Sequence, residues 1–228
     1  MTAASSSTTK TKVIYRIKKT VFKGTTNIQI FKIIRGKRPK QSLRFPPIDH
    51  PKYNVILADP PWFYRNNASE GNCERHYPTL KDQQLYDFPI NRFAHPKQCA
   101  LLMWCTSPKL DVGIQLMERW GFTYKTIFFV WCKVNKQGGF IPGVGNYTRP
   151  SVELLLIGVR GNIMKWKRNK SIRQMLTARR REHSRKPEEA RTRIDDFFVD
   201  GLSKVELFAR ERALGWDVWG NEVNKFSK

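Results

Sequence analysis

A layered α/β sheet is the fold class this sequence predicts, on three observations. From Val55 onward, short β-branched apolar runs of strand length alternate with stretches of helical periodicity. The run Val55–Ala58 is apolar throughout, as in a parallel strand covered on both sides. The 228 residues, 40% hydrophobic, suffice for one substantial core, with one domain as the default and a small appendage allowed.

Taken in order, residues 1–10 are Ser/Thr-rich with almost nothing apolar, which predicts a disordered tail. Residues 11–44 read as a basic β-rich appendage and linker. Val13-Ile14-Tyr15 and Ile28-Gln29-Ile30-Phe31 flank Lys23-Gly24-Thr25-Thr26-Asn27, which can turn a hairpin. Four prolines in Gly36–Pro51 give an extended entry to the main domain, 45–228. After the strand Val55–Ala58, the polar stretch Phe63–Lys81 reads as a loop over the strand end, a candidate lid. Leu80–Phe93 predicts a helix, Cys99–Cys105 a buried strand, Lys109–Trp120 an amphipathic helix stopped by Gly121, and Thr123–Val134 a strand. Lys136–Arg149, with four glycines, predicts a mobile loop in which Gly138, Gly139, Gly143 and Gly145 act as hinges. Val152–Val159 is the next strand, and Gly161–Arg181 a basic stretch. Ser184-Arg185-Lys186-Pro187-Glu188-Glu189 starts a helix, with Ser184 near the N-cap and acids in the first turn. Strands Val205–Ala209 and Trp216–Trp219 close the fold.

The formal net charge of +23 is unevenly spread: twelve Lys/Arg and no acid from Met1 to Arg44, and thirteen Lys/Arg against three Glu from Arg160 to Arg193. A polyanion is the simplest partner for such runs, nucleic acid ahead of acidic membrane. Within the second run, Trp166 in Lys165-Trp166-Lys167-Arg168 suits base stacking with phosphate contact, or simply packs the segment down. The apolar stretches are far short of a bilayer span and the N-terminus lacks a signal-peptide core, so a soluble intracellular protein, nuclear or cytoplasmic, is expected. Cys73, Cys99, Cys105 and Cys132 lack metal-ligand spacing and read as reduced, and four histidines make a multi-histidine metal site improbable.

Asp59-Pro60-Pro61-Trp62 carries the most chemistry. A strand delivers one carboxylate to the sheet's open carboxyl end, where α/β proteins bind ligands. Each proline fixes its own φ and restricts the residue before it, so Asp59 and the Pro60 carbonyl are held in nearly fixed directions. Two converging acceptors suit the two hydrogens of an exocyclic amine, and Trp62 and Tyr64 offer faces for an unstacked base. An ordinary turn with Trp62 as a core anchor is the bland alternative.

Several segments together resemble the MT-A70 family of S-adenosylmethionine-dependent N6-adenine methyltransferases, especially its short bacterial and viral members. They are Asp59-Pro60-Pro61-Trp62, His76-Tyr77-Pro78-Thr79, Leu102-Met103-Trp104, Trp120-Gly121-Phe122, the run Ser151–Gly161, His183–Glu188, Val205–Arg210 and Trp216–Glu222. The resemblance implies a Rossmann-like methyltransferase sheet with helices on both faces. It further implies that Asp59, Pro60, Pro61 and Trp62 are catalytic, and that Asp59, Lys186, Glu206, Phe208, Arg210, Asn221 and Glu222 hold S-adenosylmethionine. Trp62, Tyr64, His76, Tyr77, Lys165, Trp166, Lys167 and Arg168 are the candidate substrate contacts. No metal is required.

The expected reaction grips the adenine amine between Asp59 and the Pro60 carbonyl and aims its nitrogen at a sulfonium methyl. DNA is slightly favoured over RNA. Rival readings are cytosine-N4 methylation, a catalytically silent nucleic-acid-binding subunit, and an interaction module using the basic tail. A homo- or hetero-oligomer with a related methyltransferase subunit fits the resemblance.

Overall fold

The computed structural model describes residues 12–22 and 25–35 by their backbone, and 52–64, 79–143, 145–182 and 184–226 in full. The readings made for residues 1–10, for the linker 36–51, for the lid with Cys73, His76 and Tyr77, and for His183 lie outside the described residues. The chain divides into two compact units, Met1–Phe45 and Pro46–Lys228. In the first, β1 (Lys12–Phe22) and β2 (Thr25–Arg35) pair antiparallel, Lys12 opposite Arg35 and Phe22 opposite Thr25.

The second unit is built on seven strands: β3 (Val55–Ala58), β4 (Cys99–Cys105), β5 (Thr123–Val134), β6 (Val152–Arg160), β7 (Met175–Arg179), β8 (Lys204–Leu207) and β9 (Asp217–Trp219). Their order is β7-β5-β6-β4-β3-β8-β9. β6 runs antiparallel to both neighbours and every other pairing is parallel. The catalytic-strand candidate β3 is therefore internal, clamped between β4 and β8.

Helices α1 (Asp82–Tyr86), α2 (Leu110–Arg119) and α3 (Glu188–Phe197) cover the sheet. Strand periodicity sorts the core. Val55, Leu57, Leu102, Trp104, Leu155 and Ile157 share one apolar cluster with Ala190 and Ile194 of α3. The alternating residues Leu156 and Gly158 face α2: a Cβ on Gly158 would stand 3.0 Å from Met117 Sδ and 3.2 Å from Phe122 Cβ, so a side chain there would push α2 off the sheet. Leu116 and Met117 are fully buried on that face, each contributing about 1.5–3 kcal/mol. This is an α/β fold consistent with a Rossmann-like methyltransferase, with helices on both faces.

Three local expectations are corrected. The helix expected over Leu80–Phe93 stops at Tyr86, because Pro89 supplies no N–H and disfavours helix at Phe88; only a tight turn, Ile90–Arg92, follows. The N-cap of α3 is Pro187, not Ser184, whose φ is 64°. β7 was hidden inside the basic stretch; its signal is the alternation of Leu176 and Ala178 with exposed neighbours.

Candidate active site

β3 ends at Ala58, paired with Met103 of β4 and Leu207 of β8, so Asp59 leaves the sheet between the carboxyl ends of three strands. The Pro-Pro turn is tied from both sides. Trp62 N–H donates to the Pro60 carbonyl at 2.9 Å, and Leu80 N–H to the Pro61 carbonyl at 2.8 Å. Pro60 thus keeps one lone pair for another donor. Trp62 is 5% exposed and its indole N–H donates to the Trp104 carbonyl at 3.2 Å. The open stacking face expected of Trp62 is corrected: the ring is a core anchor that fixes the turn. Tyr64 is half-buried, its hydroxyl bonded to Thr106 and its ring 5.9 Å from Lys109 Nζ.

Asp59 is the end of a chain of alternating charges. Lys186 Nζ donates to Asp59 Oδ2 at 2.8 Å and lies 3.3 Å from Glu153 Oε2; Glu153 in turn pairs with Lys133 at 2.5 Å. All four side chains are 13–22% exposed, and Lys186 also sits 5.8 Å from the Trp104 ring centroid. Burial opposes the charge on Lys186, yet Asp59 and Glu153 outweigh it and raise its pKa above the ordinary 10.5. Burial likewise opposes the charge on Glu153, and Lys186 and Lys133 outweigh it, holding the carboxyl below the ordinary 4.5.

The signs fix a pH dependence. The Glu153 contribution to stability is present above pH 4.5 and is lost as the pH falls through its lowered value; that of Lys186 is fully present below 10.5 and is lost only as the pH rises past its raised one. Denaturant titrations are therefore expected to show no loss from this pair between those limits. Glu153→Gln should shrink the acid-side loss, and an unchanged acid limb in that variant would sink the assignment.

Five of the predicted residues come together: Asp59, Lys186, Glu206, Phe208 and Arg210 line one cleft, which Ser184 and Phe226 also line. Ser184 and Phe208 are the non-glycine residues with left-handed φ, 64° and 60°, among the described residues. Both border this cleft, and strain of that kind, of order 1–3 kcal/mol each, collects at functional sites. Phe208 is held there by rings, 5.1 Å from Phe88 and 5.7 Å from Trp219. The turn also needs Gly220, since a Cβ there would lie 2.6 Å from Ala209 O and 2.9 Å from the Phe208 carbonyl carbon. Gly220→Ala should cost about 1–3 kcal/mol in thermal unfolding, because the obstructing atoms are backbone. A variant as stable as the parent would contradict this packing.

The remaining predicted residues separate. Glu222 reaches Arg210 at 3.5 Å and Lys225 at 2.8 Å, while Asn221 is exposed on the turn after β9. Lys165, Trp166, Lys167 and Arg168 are placed at the opposite end of the sheet. They follow Arg160, which pairs with Cys99 at the start of β4, whereas Asp59 lies beyond the Ala58–Met103 pair. Trp166 is 8% exposed in the core, Lys167 lies over Phe197 and Arg168 pairs with Asp200. Packing, the alternative weighed for Trp166, is the one observed.

Sequence reasoning missed Glu153 and Lys133, and in the lining of the cleft Arg191, whose guanidinium bonds Glu206 at 2.9 Å and also Glu211. Burial raises the Glu206 pKa against the pull of Arg191. A usable signal for Glu153 was a lone acid at the second position of a strand that is apolar from there to Arg160.

A family model described as MT-A70 matches residues 53–222. The chain is 35% identical over 197 residues to the type II methyltransferase M.MunI of a Mycoplasma species, covering 78% of this chain and 81% of that protein. It is 30% identical over 186 residues to the human N(6)-adenine-specific methyltransferase METTL4, covering 76% of this chain but 38% of that one. With the N6-methyladenosine RNA methyltransferase MTA1 of Cryphonectria parasitica the identity is 30% over 189 residues, 78% of this chain and 54% of the fungal one. The chain thus spans most of the bacterial relative and about half or less of the other two.

Proposed function

The chain belongs to the MT-A70 family, and on that premise we propose that it transfers the methyl group of S-adenosylmethionine to the exocyclic N6 of adenine in nucleic acid, with DNA ahead of RNA. The observation that carries this reading is Asp59, delivered by an internal strand into a braced Pro-Pro turn beside a cleft of mixed charge. The match over 81% of the bacterial type II methyltransferase, against 38% and 54% of the other two relatives, supports the order of substrates.

The cleft's donor set suits the cofactor. An amino-acid moiety needs both signs of charge and a ribose diol needs a carboxylate or amide; Lys186, Arg210, Glu206 and the nearby Glu222 supply them, and Phe208 supplies an apolar wall. S-adenosylmethionine, when bound, supplies the methyl group that the amine nitrogen accepts. Asp59, with Lys186 on one oxygen, keeps its other oxygen for one amine hydrogen, and the free lone pair of the Pro60 carbonyl takes the second. Both acceptors orient the nitrogen lone pair out of the ring plane, and Asp59 receives the proton released as the N–C bond forms. Fixed orientation is the main source of rate. Among the described aromatics near the turn, Tyr64 is the candidate to flank the base.

Tritiated methyl transfer to matched DNA and RNA oligonucleotides, digested to nucleosides, tests the reading. N6-methyladenine that disappears with Asp59→Ala supports it and selects the polymer. N4-methylcytosine, or no product on either polymer, overturns it.

A further inference from the structure

Resting on nucleic acid being the substrate, we infer that the loop joining β5 to β6 and the end of β7 form a backbone-gripping rim that holds DNA flanking the target base. This rim shares the sheet end that carries Asp59. Val134, the last residue of β5, pairs with Arg179 and accepts the N–H of Arg180 at 3.2 Å. One residue earlier, Lys133 begins the charge chain through Glu153 and Lys186 to Asp59. β7 stands four strand positions from β3, roughly 19 Å at the usual spacing between strands. At 3.4 Å per base pair that is the rise of about five or six pairs.

Lys136, Arg149, Arg179 and Arg180 are exposed on this rim and make no ion pair among the described residues; residues 135–150 contain no acid, and the acids that follow β7, Glu182 and Glu188, are taken up by Arg185 and Arg181. Cations at the other end of the sheet are neutralised in part, Arg168 by Asp200 and Lys204 by Asp195, while Lys165 and Lys170 are exposed there. Two aromatics stand among the rim cations, Phe140 67% exposed and Tyr147 fully so. The loop that holds Gly138, Gly139, Gly143 and Gly145 carries internal hydrogen bonds. Asn135 Oδ1 accepts the N–H groups of Gln137 and Gly139, and Gly143 N–H donates to Pro150 O at 2.8 Å. A Cβ on Gly145 would lie 2.2 Å from Thr148 O. The loop therefore presents Tyr147 outward from a folded base. Exposed cations that no carboxylate pairs with, around an outward aromatic, match a phosphate backbone with a base or sugar against the ring.

The test uses the full chain, a mixed-sequence duplex of about 30 base pairs and fluorescence anisotropy across a salt series. Arg149→Ala/Arg179→Ala/Arg180→Ala should weaken binding at least about tenfold and flatten the log-affinity against log-salt slope by roughly three, about 0.9 for each phosphate no longer neutralised. Tyr147→Ala should weaken it by about tenfold with the slope nearly unchanged. Unchanged thermal unfolding checks the fold, since all four side chains are exposed. A triple variant with the parent's affinity and slope overturns the rim, and so does one that instead loses self-association, which would make the surface a protein interface. Parent protein that binds through the rim yet transfers no methyl group retains this inference and fails the proposed function; normal transfer with an unaltered triple variant does the reverse.

Discussion

Asp59→Asn is expected to lower single-turnover methyl transfer by about 10³-fold or more, the scale of losing a transition-state hydrogen-bonding group together with a proton acceptor. The substitution keeps the shape of the side chain, so the Pro-Pro turn, held by Trp62 N–H and Leu80 N–H, should survive. What changes is the polarity of the gripping atoms. An amide has one acceptor oxygen and one donor nitrogen. If its oxygen satisfies Lys186, now 2.8 Å from Asp59, its NH₂ points at the incoming amine and repels it. If the oxygen turns to the amine, the ammonium faces a donor. Either way one buried contact is donor against donor. A transfer rate within tenfold of the parent's would show that Asp59 neither orients the amine nor takes its proton.

Lys186→Met carries the largest expected cost to stability. It leaves Asp59 and Glu153, each about 15% exposed, without the cation between them, and only Lys133 remains to neutralise Glu153. Removing one partner of a nearly buried pair costs about 3–5 kcal/mol, which for a unit of this size lowers the melting temperature by roughly 6–20 °C. Because the penalty comes from the carboxylates left behind, adding Glu153→Gln to Lys186→Met should restore part of it. Strictly additive losses in that double-mutant cycle would mean the two groups are not coupled.

The inner sheet was legible because its strands are apolar on both faces: Val55–Ala58 and Cys99–Cys105 are buried end to end, and Leu154–Gly158 of β6 is buried throughout. β7 was not, since an edge strand buries one side only and its exposed positions, Met175, Thr177 and Arg179, merge with the cations around them. The same limit governed the site. Asp59 announces itself through two prolines, and the resemblance named Lys186, but their contact spans 127 positions and leaves no local trace. Charge content alone could not separate the two ends of the sheet. Lys165–Arg168 and Arg179–Arg180 read alike as basic segments, and only strand direction places the first away from Asp59 and the second beside its rim.

The position of β8 between β3 and β9 gives this protein a synthesis order. At about 5–20 residues per second, the ribosome releases Asp59 many seconds before Lys186, and before the strand that completes the inner flank of β3. Until then β3 has one neighbour, an open hydrogen-bonding edge and an uncompensated carboxylate at its tip. A nascent chain therefore lacks the cleft beside Asp59, and chain arrest anywhere before β8 leaves a fragment with an open, sticky strand edge.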